Sequence, residues 1–92
     1  MNKVAVTRKI FKKTEGDLIL NSPVWERLDC GSAYAELNGL TGDWFCYGQK
    51  GNERYPYLVE TVAQAARFCA RIDHWNATGE IKSIPVSIIP KK

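Results

Sequence analysis

The 92-residue chain has one histidine, one methionine and three cysteines, and nowhere a long apolar run. Each shortage excludes something. No stretch approaches the ~18 consecutive apolar residues that span a bilayer as a helix. The opening residues, MNKVAVTRKIFKK, hold no apolar h-region and no small-residue cleavage site, so no secretory signal is expected. Cys30, Cys46 and Cys69 are odd in number and widely spaced. That argues against a disulfide framework and for buried thiols in a reducing, cytoplasmic compartment. Structural zinc sites carry ligand pairs roughly two to four residues apart, and this sequence has none, so no metal is expected. The sequon Asn76-Ala77-Thr78 stands alone, without other signs of secretion.

Catalytic signals are equally sparse. A histidine that moves protons needs a carboxylate, nucleophile or metal placed around it. Asp73 is adjacent to His74, and neighbours on a helix point in different directions. Cys69 lies five positions away, off the same face. His74 is therefore expected to be an exposed histidine near a helix end, favoured there by the helix dipole. GQKGN is too short for a phosphate loop and reads as a hairpin turn. A helix-turn-helix needs two adjacent helices, and GDWFCYGQ departs from the RNA-recognition consensus at several positions. Neither an enzyme nor a cofactor is expected.

What the chain does have is charge at its ends. Residues 1–13 carry Lys3, Arg8, Lys9, Lys12 and Lys13 and no acid; residues 81–92 carry Lys82, Lys91 and Lys92 and no acid. Residues 14–80 hold ten acids and five bases, a net charge of −5 within a chain of +3. If the two ends are neighbours, Lys3, Arg8, Lys9, Lys12, Lys13, Lys91 and Lys92 form one basic patch on an acidic body. Such a patch attracts phosphates or an acidic protein surface, or simply keeps a sheet edge solvated.

The length and composition fit one globular domain, residues 1–92. KVAVTRKIFKK reads as a first strand over about 3–12, TEGD as a turn, and LIL as a short return strand, making an N-terminal hairpin. In NSPVWERLDCG, Ser22 can cap and Pro23 suits the first helical position, which predicts a short helix over 23–29. SAYAELNG supports helix or strand, and the flanking glycines favour a strand over 33–37. DWFCYG is a strand, and ERYPYLV is an edge strand because Pro56 lacks a ladder donor.

The clearest element runs over about 61–77. Thr61 and Gln64 form a capping box, Val62, Ala65, Ala66, Cys69 and Ile72 recur at helical spacing, and Gly79 stops the helix. Arg67 and Arg71 share one flank. IKSIPVSII reads as a last strand. The expected fold is α+β: an antiparallel sheet of four or five strands with one main helix on one face. A split βαββαβ arrangement is the alternative if 23–29 is a true helix.

Half of the ten aromatics fall in GDWFCYGQKGNERYPY, residues 42–57. Pairing the two strands about Gly51 sets Phe45 opposite Tyr57, Tyr47 opposite Tyr55, Trp44 opposite Leu58 and Cys46 opposite Pro56. One face then carries Phe45, Tyr47, Tyr55 and Tyr57, beside Arg54, and the other carries Trp44, Cys46 and Leu58. A single helix covers one face only, so Trp44, Cys46 and Leu58 are expected beneath it. The tyrosine-rich face would then lie under the segment around Trp25, against a second copy of the chain, or open to a partner.

Tyr, Trp and Arg are the residues most enriched where proteins bind tightly. The expected function is therefore a small non-enzymatic protein-binding module using Phe45, Tyr47, Arg54, Tyr55 and Tyr57. Inhibitors and accessory proteins by which phages and other mobile elements block host defence complexes have this economy, as a class. The alternative is a single-stranded nucleic-acid-binding domain, stacking bases on the sheet aromatics and tracking phosphates with the basic ends. A homodimer would also account for a second apolar face.

Overall fold

The computed structural model describes residues 3–11, 18–19, 22–47, 49–50, 53–54 and 57–90. Along them run β1 (Val4–Ile10), β2 (Leu18–Ile19), β3 (Ser22–Cys30), β4 (Ala33–Asn38), β5 (Trp44–Tyr47), β6 (Gln49–Lys50), β7 (Glu53–Arg54), β8 (Tyr57–Val59), α1 (Val62–Thr78) and β9 (Val86–Pro90). The main sheet has the order β8-β5-β4-β3-β1-β9, with β2 added beside β3. β6 and β7 form a separate two-stranded ribbon, and β6 approaches α1.

The fold is α+β, with one helix among the described residues and a mixed sheet. From β1 through β3, β4 and β5 to β8, each strand is antiparallel to the next, as the sequence leads one to expect. The sixth strand departs from it. β9 lies parallel to β1, pairing Val4 with Val86 and Val6 with Ile88. Five alternating strands leave β8 running in the same sense as β1. The crossover through α1 then delivers β9 in that sense too, so it can meet β1 only in parallel. This arrangement brings the two ends of the described chain side by side.

Two expectations for the N-terminal half are overturned. β2 pairs with β3, Leu18 with Pro23 and Ile19 with Ser22, and does not return along β1. Residues 23–29, expected to be helical, belong to the nine-residue strand β3. With a strand there, the βαββαβ alternative falls. The cause is a bulge: Val24 pairs with Asn38 and Glu26 with Leu37, leaving Trp25 as the extra residue. A bulge reverses the phase of alternation. Leu28 and Cys30 join the helix-side core, while Val24 is buried outside it. Read without the bulge, Val24, Leu28 and Cys30 share a face that Glu26 interrupts, and the Ser-Pro start resembles a helix cap.

The helix matches its signals. Thr61 Oγ1 accepts from the Gln64 N–H at 3.1 Å, and Gln64 Oε1 accepts from the Thr61 N–H at 3.1 Å. Gly79 closes the helix with φ +80°, its N–H donating to the Trp75 carbonyl at 2.8 Å. Ala65, Ala66, Cys69, Ala70 and Ile72 are buried against Val6, Leu28, Cys30, Ala33, Ala35, Trp44 and Cys46. Alanines on both layers let the helix axis approach the sheet closely. Trp44 and Cys46 are thus core beneath the helix, as expected.

The turn between β3 and β4 is pinned to this helix. Cys30 pairs with Ala33, leaving a two-residue loop, Gly31-Ser32. Gly31 has φ +56°, and a Cβ there would overlap the Asp73 carboxylate. Asp73 Oδ1 in turn accepts from the Ser32 N–H at 2.8 Å and from Ser32 Oγ at 2.9 Å. Asn76 Nδ2 donates to Ser32 Oγ at 2.8 Å, so the sequon asparagine is committed inside α1. Gly31→Ala therefore combines left-handed strain of about 1–2 kcal/mol with a steric conflict. Urea denaturation should show a loss of about 2 kcal/mol.

Candidate functional site: the second face of the sheet

The pairing registers place two rows of side chains on the face away from α1. One row runs Thr7, Asp29, Tyr34, Tyr47; the other runs Lys9, Arg27, Glu36, Phe45, Leu58. The β1–β3 end of these rows is polar, and the β4–β5–β8 corner is aromatic and aliphatic. No described helix packs over this face.

The aromatic corner is ordered by direct contacts. The rings of Tyr34 and Tyr47, cross-strand partners, stack with centroids 5.0 Å apart and 20° between planes. The Arg27 guanidinium lies 4.3 Å from the Tyr34 centroid. Its Nε donates to Asp29 at 3.1 Å, and one terminal nitrogen stands 3.8 Å from Glu36 Oε2. Arg27 is thereby held between acid and ring, which fixes the polar border of the patch. Glu36, only 6% exposed, sits between Arg27 and Phe45. Burial first, then the Glu36 carboxylate, holds the Tyr47 phenol above its usual range, so it remains a neutral hydroxyl at physiological pH.

The hairpin register differs from the one centred on Gly51. Trp44 pairs with Val59, Phe45 with Leu58 and Cys46 with Tyr57, one residue away from the expected pairing. The ribbon keeps the same offset, with Lys50 opposite Glu53 and Gln49 opposite Arg54. A one-residue slip exchanges faces. Leu58 is therefore not core: it is 59% exposed and opposite Phe45 on the second face. Position 57 falls in the Cys46 row instead.

The predicted binding residues are thus only partly brought together. Phe45 and Tyr47 share the second face. Arg54 belongs to the β6–β7 ribbon, outside the main sheet. Tyr55 lies outside the described residues. Tyr34, Arg27 and Leu58 were not among the predicted binding residues. The signal for Tyr34 was the alternation of Tyr34, Glu36 and Asn38 against Ala33, Ala35 and Leu37 in SAYAELN. Trp25 does not cover the tyrosines. Its segment is a strand of the sheet, and its indole lies against Gly39, at the opposite end of β4 from Tyr34.

The basic ends are neighbours through β1 and β9, but their charges are unequal in availability. Lys3 is exposed. Arg8 is bound to Glu26 at 2.7 Å and so adds little free charge. Lys9 lies over the Phe11 ring, 5.0 Å from its centroid. Lys12, Lys13, Lys91 and Lys92 lie outside the described residues.

The three cysteines are free and buried. Burial, then the Asp73 carboxylate, pushes the Cys30 thiol from 9.0 up to about 11. A hydrogen bond with Cys46, then burial, pushes Cys69 up as well. The unfolded chain loses the Cys30 proton near pH 9 while the folded chain keeps it to about 11. The folded state then binds more protons, so stability falls as pH rises through that window. Urea titrations at pH 8 and pH 10.5 should show lower stability at the higher pH, and a Cys30→Ala chain should lose part of that slope.

His74 is half-buried rather than exposed, with Nε2 out of contact with solvent and with no described partner. Among the described residues no group of three His, Cys, Asp or Glu side chains is placed to hold a metal ion. No described helix is long and apolar enough to cross a membrane. Comparison with known protein families, curated proteins and solved structures finds no match to this chain.

Proposed function

We propose that the protein is a small non-enzymatic protein-binding module that docks the aromatic corner of its second sheet face onto another protein. The observation that carries this reading is the cluster of Tyr34, Phe45, Tyr47 and the 59%-exposed Leu58 on a face that α1 does not cover. Aromatic anchors beside an arginine are the composition of binding hot spots, each worth on the order of 2 kcal/mol or more. The charges bordering the cluster, Lys9 and Arg27 against Asp29 and Glu36, cancel. That balance supports a protein partner over a polyanion such as single-stranded nucleic acid. Within this reading we place the protein among inhibitors and accessory proteins of phages or other mobile elements that block a host defence complex. An aromatic docking face with balanced border charges supports that role.

The test is capture with immobilised protein, with and without nuclease, compared with a Leu58→Asp chain. One nuclease-insensitive complex, lost with Leu58→Asp, is the expected result. Recovery of nucleic acid, with affinity falling steeply between about 50 and 200 mM salt, would favour the alternative. Sedimentation is expected to give a monomer; a dimer broken by Leu58→Asp would assign the face to a second copy. Expressed in a host carrying such a complex, the protein should let a restricted phage plate, and Tyr47→Ala should abolish that effect.

A further inference from the structure

A second surface lies on the helix side of the molecule, away from the tyrosines. Between α1, the end of β8 and the segment leading into β9 is a half-open groove of about 240 Å³, lined by Val59, Gln64, Arg67, Phe68, Arg71, Ser83 and Ile84. Phe68, Val59 and Ile84 give it a half-buried apolar floor, and Arg67 and Arg71 are exposed. The Arg71 guanidinium sits 5.8 Å from the Phe68 centroid.

The polar groups of this groove are nearly all donors. Arginine donates only. Gln64 has its carbonyl oxygen occupied by the N–H groups of Glu60 and Thr61, which leaves its NH2 to donate. No described carboxylate pairs with Arg67 or Arg71. Asp73, close to Arg71 in sequence, is engaged by Ser32. Like charges at i and i+4 weaken a helix, so this pair brings no benefit to α1 alone. A ligand that supplies acceptors and negative charge, together with an apolar group for the floor, complements the groove.

We propose that the groove docks an acidic segment of a protein partner: a carboxylate side chain meets Arg67 and Arg71 while a neighbouring apolar side chain rests on Phe68, Val59 and Ile84. Size favours a segment over a cofactor. Small-molecule sites occupy roughly 300–1,000 Å³, and this groove is smaller and partly open to solvent. Guanidinium forks match carboxylates bidentately, and peptide carbonyls provide acceptors for Gln64 and Ser83. The site is independent of the sheet face, so the two surfaces can act separately.

The test is an NMR titration of the labelled chain with the capped tetrapeptide Glu-Leu-Glu-Phe. The expected result is saturable shifts at residues 59, 64, 67, 68, 71, 83 and 84, with a dissociation constant near 1 mM. Arg67→Gln with Arg71→Gln should weaken binding about tenfold, and added salt should weaken it further. Both arginines are exposed and glutamine preserves helix propensity, so the variant is expected to fold as the parent does. Absence of shifts, shifts unchanged in the double variant, or equal binding of the capped Gln-Leu-Gln-Phe peptide would overturn the proposal. So would equal, saturable shifts from acetate or inorganic phosphate, which would make the groove a simple anion site.

Discussion

Replacing Phe45 and Tyr47 together by alanine is expected to lower affinity for the captured partner by about 3 kcal/mol, roughly a hundredfold. The same change should cost the fold about 1 kcal/mol. The asymmetry follows from position. Both side chains are on the face that α1 does not cover, and both are only partly buried. Their removal strips the Tyr34–Tyr47 stack and the neighbour of Leu58 but opens no cavity in the helix-side core. Isothermal titration against the captured partner, with a urea midpoint measured beside it, separates the two effects. If stability falls by several kcal/mol while the surviving folded fraction binds normally, these rings serve the fold and not a partner.

The second large effect lies on the opposite face. Leu28→Ala is expected to destabilise the protein by about 3 kcal/mol, within the 2–5 kcal/mol found for buried leucines. Leu28 is fully buried, central in β3, and flanked by Ala35 and Arg8 in the neighbouring strands. Those neighbours offer little volume to close the gap, because the alanines that let α1 approach are already small. Leu58→Ala is the matched comparison: at 59% exposure it should cost less than about 0.5 kcal/mol. The pair also tests the hairpin register. Had Leu58 been opposite Trp44 beneath the helix, its truncation would cost nearly as much as that of Leu28.

These two leucines also show what was legible in the sequence. The helix declared itself through Thr61, Gln64, Gly79 and a regular run of small apolar residues, all local signals. The 33–37 strand was legible from its flanking glycines, and Trp44 and Cys46 from alternation. What failed depended on a single residue of phase. The bulge at Trp25 disguised β3, since one extra residue moves every later side chain to the other face. The hairpin slipped for the same reason: a register centred on Gly51 and the observed one, with Lys50 opposite Glu53, differ by one residue. The parallel meeting of β9 with β1 has no local signal, because it follows from the parity of strands across the whole chain. Tyr34 was missed as a site residue because its partner Tyr47 is 13 positions away and only the register joins them.

The second face accordingly differs from the sequence expectation in composition more than in kind. An aromatic face remains, but Leu58 and Tyr34 belong to it, while position 57 pairs with Cys46 and Arg54 belongs to a separate ribbon. Arg27, bound to Asp29 and lying over Tyr34, takes the bordering role expected of Arg54.

Hydrogen exchange of the protein alone and bound to its captured partner shows which face the partner covers. New protection is expected in β4, β5 and β8, centred on residues 34, 45, 47 and 58, with α1 little changed apart from its Arg67–Arg71 flank. Protection confined to α1 or β9, with the β4–β5–β8 corner exchanging as in the free protein, would contradict that expectation.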